Sequence, residues 1–357
     1  MMGKMGQGIA PSKVSGDRST LQRLGWVDYA KGIGIFWVVV GHVLRGLVSS
    51  DLLESSASRF IDQWIYAFHM PLFFFLSGLF LVRSAAKPFK SFLRDKLSTI
   101  AYPYVLWSLL QGLLQIVASR HTSQVVSFAD LGRIIYEPIQ QFWFLYTLFV
   151  ILLIYAVMHK FPLGQRRSLL PPAIAFAVFS ILLYGAHLAN ISFGNWGVLY
   201  LVRRHAIYTA LGAIVGSSIL FRLGDTKPPI LILTALGGYF GVAGAVALQL
   251  DKNGWLIPAI ALLGSAASVA IALLLEQLNI LRFIKQWGLF SLEIFVVHTI
   301  VIAVTRIALQ KLGLRDPLLH FLIETLVGIY IPIALAVMCR RYKFPYLFRW
   351  RDRGVVG

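Results

Sequence analysis

The ionisable side chains Asp28, Lys31 and His42 stand in the largely apolar stretch from Trp26 to Leu47. A helix needs about 20 residues to cross a bilayer, and this stretch is long enough. Ionisable groups in such a segment are tolerated where they face a bundle interior or a wet cavity, so each marks a candidate functional position. At about 1.5 Å of rise per residue, Asp28 and His42 stand roughly 21 Å apart along the axis. The acid and the lysine therefore lie near one membrane face, and the imidazole lies deep toward the other. Imidazole exchanges protons near neutral pH, and a hydroxyl attacking an acyl carbonyl needs a base within hydrogen-bond reach. A base beside a narrow apolar shaft is what acyl transfer across a membrane would require.

Other residues join this set. His69, on the next apolar segment, lies at a depth similar to His42, beside Pro71, which removes a backbone donor. Arg45 follows His42 by less than one turn and is a candidate for holding substrate. Glu293 and His298 fall on one late segment but do not share a helix face, so they are not expected to act as a dyad. Each is a separate candidate for lining a passage, with His298 mid-membrane. Arg203 and Arg204, followed by His205, open another segment at its outer edge. They could grip an anionic acceptor or equally snorkel to lipid phosphates. Arg306 and Glu324 are expected to pair structurally, Gly264 to Ser268 to allow close helix contact, and Phe142 to Tyr146 to form an interfacial aromatic belt.

The elements that position these residues follow from composition. The chain has 357 residues, of which 58% are hydrophobic and only 13% charged, with a mean hydropathy of +0.74. A soluble protein of this size is far less apolar. Ten candidate membrane spans are predicted, at 28–47, 61–82, 99–119, 142–158, 169–188, 197–220, 229–248, 255–275, 289–308 and 318–339. The predicted class is an all-α polytopic membrane protein. Most of the 33 lysines and arginines fall in alternate connecting segments, which by the positive-inside rule puts both termini in the cytoplasm. That asymmetry accounts for most of the net charge of +18 without nucleic acid. It leaves a basic inner surface for anionic lipid head groups or a phosphorylated ligand. The expected layout is a cytoplasmic tail over 1–25, a membrane domain over 26–340 and a basic cytoplasmic tail over 341–357. No small-residue cleavage site follows the first span, so its retention is expected.

The run Asp-Tyr-Ala-Lys-Gly-Ile-Gly-Ile-Phe-Trp-Val-Val-Val-Gly-His, from Asp28 to His42, is followed by Phe-His-Met-Pro-Leu-Phe-Phe-Phe-Leu-Ser-Gly, from Phe68 to Gly78. Together they resemble the signature of the acyltransferase-3 family of integral membrane O-acyltransferases. Arg94 through Trp107, with Tyr102-Pro103-Tyr104, resembles the family's basic run leading into a proline-containing span. Gly288 through His298 resembles its late segment ending in histidine. The resemblance implies transfer of an acetyl or other short acyl group from cytoplasmic acetyl-coenzyme A to a sugar hydroxyl of an exopolysaccharide, lipopolysaccharide or lipid-linked oligosaccharide. It implies that His42 is the catalytic imidazole, supported by Asp28 and Lys31, with His69 orienting the acceptor or the first imidazole. Many relatives carry Arg where this chain has Lys31, and lysine lacks the planar two-pronged contact. The resemblance thus points toward relatives similar to fucose and exopolysaccharide O-acetylases.

On that reading, Arg83, Lys87, Lys90, Arg94 and Lys96 are the candidates for the coenzyme's phosphates. No metal is expected, since two histidines without nearby carboxylates suit one poorly. The expected partners are a saccharide acceptor and membrane lipids, and the expected location is a bacterial inner membrane. A proton-coupled transporter or lipid-linked sugar flippase is the rival reading. Buried His and Glu suit it, whereas the absence of a visible inverted repeat does not.

Overall fold

The computed structural model describes residues 24–118, 131–160, 172–194, 196–218, 220 and 222–350. The predicted tail over 1–25 therefore lies almost wholly outside the described residues, as do residues 351–357 of the predicted C-terminal tail. Among the described residues every regular element is helical. The elements are α1 (Gly25–Ser49), α2 (Ser55–Gly78), α3 (Leu81–Ala85), α4 (Phe89–Lys96), α5 (Tyr102–Ala118), α6 (Trp143–Lys160), α7 (Pro172–Leu188), α8 (Gly197–Ser218), α9 (Pro228–Ala247), α10 (Ile257–Leu278), α11 (Arg282–Leu289), α12 (Ser291–Lys311) and α13 (Pro317–Arg341). A π-helical turn, Leu97–Ala101, joins α4 to α5. Each of the ten predicted segments is thus helical, and eight helices are long and apolar enough to cross a membrane. The other two predicted spans are α2, which carries Arg59 and Asp62, and α7, which is apolar but only 17 residues long.

Helix α1 is the axis of the bundle, touching α2, α10, α11, α12 and α13. Its N-terminus is held by the end of α10, where the Glu276 carboxylate accepts the Trp26 backbone N–H. A carboxylate there satisfies an orphan donor and complements the positive end of the helix dipole. Gly32 and Gly288 let α11 lie directly on α1: a Cβ at Gly288 would stand 1.7 Å from the Asp28 carbonyl oxygen, and one at Gly32 would stand 1.9 Å from that of Ile284.

Close contact through small residues recurs where apolar burial gives little drive between helices. Gly212 and Gly216 of α8 meet the carbonyls of Phe75 and Leu79, and Gly264 of α10 receives Phe68 as predicted. Helix α13 starts on Asp316, whose side chain accepts from Leu319 N at 2.7 Å, followed by Pro317.

The paired charges also stand where expected. Arg306 Nη2 lies 2.6 Å from Glu324 Oε2, and His320 Nδ1 lies 2.9 Å from Glu324 Oε1. The Arg306 guanidinium fills the space left by Gly46. The aromatic belt, by contrast, is corrected. Phe142, at the end of the 3-10 turn Gln140–Phe142, and Phe144 are buried in the core, whereas Trp143 and Tyr146 are only half-buried, so the correction falls on the two phenylalanines.

Candidate active site

Because a helix turns about 100° per residue, Asp28, Lys31 and His42 lie within about 60° of one another around α1. They form one stripe, with its two ends apart. Asp28 is buried in the first turn under α11, and Lys31 is half-buried one turn on. His42 lies far along the helix on the wall of a cavity of about 340 Å³. The cavity is closed by α1, α2, α12 and the turn before α6.

Two imidazoles, His42 and His69, line it, and a third, the buried His298, stands behind His42. The rings of His42 and His298 are 5.0 Å apart at 65°, and His69 lines the same cavity. His69 Nδ1 is 2.8 Å from the Ile65 carbonyl oxygen and His298 Nδ1 is 2.9 Å from that of Ile294. A carbonyl oxygen only accepts, so each Nδ1 carries a proton and donates it, leaving Nε2 as a lone pair in the neutral ring. The Nε2 of His298 is buried without a partner among the described residues.

Arg45 stands at the rim. It donates from Nε and an Nη to Asp62 at 2.8 and 3.0 Å and lies 3.3 Å from the centre of the Tyr66 ring. Asp62 thus neutralises it while the tyrosine sets its plane. Glu293 is not at the cavity; it accepts from Arg340 at 3.0 Å near the start of α12. Arg203 and Arg204 part company: Arg203 donates to the Ile191 carbonyl, whereas Arg204 turns into a neighbouring cavity.

An amide cluster at the mouth escaped the sequence reading. Gln111 Nε2 donates to Gln140 Oε1 at 2.6 Å, and its Oε1 accepts from Gln141 Nε2 at 2.8 Å and from the Thr299 hydroxyl at 3.1 Å. Gln140 and Gln141 both line the His42 cavity. With its oxygen engaged by Gln111, the Gln140 amide nitrogen has no partner among the described residues and is an available donor. Gln140 also holds a left-handed φ of 41°, an uncommon conformation for a residue with a side chain. The only trace in sequence is a pair of adjacent amides leading into an apolar helix.

Toward Asp28 the cavity ends on Val38 and Phe295. Beyond them Ile35 is fully buried, and Phe73 and Phe74 pack on Phe144 at 5.8 and 4.9 Å, with Phe144 on Phe295 at 5.5 Å. At the Asp28 end of the bundle, Lys87, Lys90 and Arg94 are exposed on and beside α4, as is Arg83 on α3. Lys96 is half-buried and paired with Asp95 at 3.4 Å. Among the described residues no group of three or more His, Cys, Asp or Glu side chains could hold a metal ion.

A multi-pass helical bundle with a histidine-lined cavity among its helices places the chain in the class of polytopic membrane proteins. The acyltransferase-3 family, described as an acyltransferase domain, matches residues 24–337, and the chain belongs to that family. It is similar to nodulation protein NolL of Sinorhizobium fredii (strain NBRC 101917 / NGR234), with 29% identity over 160 residues, 44% of this chain and 42% of the relative. It is also similar to nodulation protein NolL of Mesorhizobium japonicum (strain LMG 29417 / CECT 9101 / MAFF 303099), with 30% identity over 138 residues, 38% of this chain and 35% of the relative. The chain thus spans less than half the length of these curated relatives. No solved structure matches it.

Proposed function

We propose that the protein is an inner-membrane O-acetyltransferase, a bundle of ten crossing helices with both termini in the cytoplasm. It moves an acetyl group from cytoplasmic acetyl-coenzyme A to a hydroxyl of an exopolysaccharide, lipopolysaccharide or lipid-linked oligosaccharide. Family membership supports an acyl donor. The observation that carries the reading is His42 on the wall of a cavity it shares with His69, with the buried His298 ring 5.0 Å behind it.

In the proposed reaction the acceptor oxygen attacks the thioester carbonyl while His42 takes the hydroxyl proton. The C–S bond then breaks, and the proton passes from His42 to the departing coenzyme thiolate. The carbonyl oxygen gathers negative charge in between, and the unengaged Gln140 amide donates to it. His69, with Nδ1 tied down, offers an Nε2 lone pair that holds the acceptor, while His298, packed against His42, positions that ring. Asp28 and Lys31 organise the opposite end of the stripe. There Arg83, Lys87, Lys90, Arg94 and Lys96 meet the coenzyme's phosphates, and the Phe73, Phe144 and Phe295 rings part for the acyl-bearing arm.

The test uses purified protein in nanodiscs with radiolabelled acetyl-coenzyme A and fractionated lipid-linked glycans. Label is expected on the glycan with wild type and none with His42→Ala. In cells, His42→Ala is expected to remove acetyl esters from surface glycan with export intact. Lost export with acetylation unchanged on the exported remainder would instead establish a carrier.

A further inference from the structure

A second cavity, of about 320 Å³, adjoins the histidine chamber and shares Tyr66, Met70 and Trp143 with it. Its α2 wall is one helical face, from Gln63 through Tyr66 and Ala67 to Met70. Opposite stand Arg204 and Tyr208 of α8, Tyr184 of α7, and Asp251 of the 3-10 turn Leu250–Lys252.

We propose that this cavity is the acceptor subsite and that it is built for an uncharged glycosyl unit, an inference resting on the O-acetyltransferase reading. In sequence, Arg203 beside Arg204 suits an anionic acceptor. The fold separates them. Arg203 lies 5.4 Å from the Phe193 ring centre and bonds to the Ile191 carbonyl, so it is spent outside the cavity. Arg204 alone turns in, steadied by the Tyr200 hydroxyl at 3.2 Å. The cavity wall supplies its own carboxylate, Asp251, while the adjacent Lys252 bonds to Gln249 at 2.8 Å and does not line the cavity. One guanidinium and one carboxylate leave the wall with no net formal charge. Capture of a uronate or phosphate calls instead for an uncompensated cation.

The remaining chemistry suits hydroxyls. Asp251 accepts, Arg204 donates, and Gln63 does both. Trp143 and Tyr66 present the aromatic surface on which the C–H face of a pyranose rests. His205, the imidazole on the wall, packs between Phe74 and Trp143 at 4.9 and 5.1 Å, with Nδ1 2.8 Å from the Leu201 carbonyl oxygen. It is therefore committed to packing. Because Trp143 borders both cavities, a ring resting on it extends a hydroxyl toward His42. The volume falls at the small end of ligand sites, about 300–1,000 Å³, which suits a single glycosyl unit.

The experiment measures binding and acetyl transfer for methyl glucoside and methyl glucuronide with the full chain in nanodiscs. The glucoside is expected to bind at least about tenfold more tightly. Asp251→Asn, which leaves Arg204 uncompensated, is expected to shift the preference toward the glucuronide by about tenfold, and Arg204→Gln to weaken both. Tighter glucuronide binding by wild type, binding of neither glycoside, or a preference unmoved by Asp251→Asn overturns the proposal. His42→Ala is expected to keep glucoside binding and lose transfer. Transfer that survives His42→Ala defeats the transferase mechanism instead, whichever glycoside binds.

Discussion

Replacing Gln140 by glycine should separate catalysis from stability. In the proposed mechanism its amide nitrogen is a donor to the carbonyl oxygen, held in place because Gln111 occupies the other end of the amide at 2.6 Å. Removing one donor of this kind typically lowers kcat by about 10²–10³, or about 3–4 kcal/mol in the transition state. The folded state should barely notice. Glycine at a φ of 41° relieves a left-handed conformation costing about 1 kcal/mol. Against that, Gln111 Nε2 loses its shorter hydrogen bond, also worth about 1 kcal/mol, but keeps Gln141 Oε1 at 3.4 Å. The two offset, leaving unfolding free energy within about 1 kcal/mol of wild type. Gln140→Glu should be worse for turnover than glycine, because a carboxylate would face the developing oxyanion. Acetyl transfer under saturating donor and denaturant unfolding followed by tryptophan fluorescence measure the two quantities. A kcat within about threefold of wild type would show that the amide does not meet the carbonyl. A destabilisation above about 3 kcal/mol would show that the cluster is structural instead.

Two further outcomes test the architecture. Arg306→Met strands the fully buried Glu324 carboxylate with only His320 beside it. It should cost about 3–5 kcal/mol, and the double substitution with Glu324→Gln should recover most of that; unfolding of the single and double variants measures the coupling, and additive losses would refute it. Gly288→Ala drives a methyl into the Asp28 carbonyl and must push α11 off α1. A loss of about 1–3 kcal/mol is expected, with a raised KM for the acyl donor if the Asp28 end receives it, and an unchanged melting temperature would contradict the contact.

The helices themselves were legible in the sequence because long apolar runs broken by charge admit little else in a bilayer. The Asp28–Lys31–His42 stripe was equally plain, since spacing along one helix converts directly into angle and depth. Rotation of the other helices was not. Helix α6 is apolar on every side, so nothing in its pattern says that Phe142 and Phe144 turn inward while Trp143 borders two cavities. Adjacent residues with the same charge could not be told apart either: Arg203 and Arg204 diverge because a carbonyl at Ile191 happens to lie within reach of one. Glu293 finds Arg340 and the Gln140–Gln111–Thr299 cluster assembles only through space, across helices far apart in the chain. The Arg306–Glu324 pair was inferable because two opposite charges on neighbouring apolar segments have few alternatives.

The cluster of tilted and edge-to-face rings formed by Phe73, Phe74, Phe144 and Phe295 beside the histidine chamber would have an electrical consequence. In the proposed inner-membrane enzyme, a chamber in which protons change hands would be one gap away from becoming a leak. Packed hydrocarbon between the imidazoles and the Asp28 end would break any wire of water along which protons could hop. On the proposed mechanism, the proton-motive force would thereby be kept from draining through a site that takes up and returns a proton at each turnover.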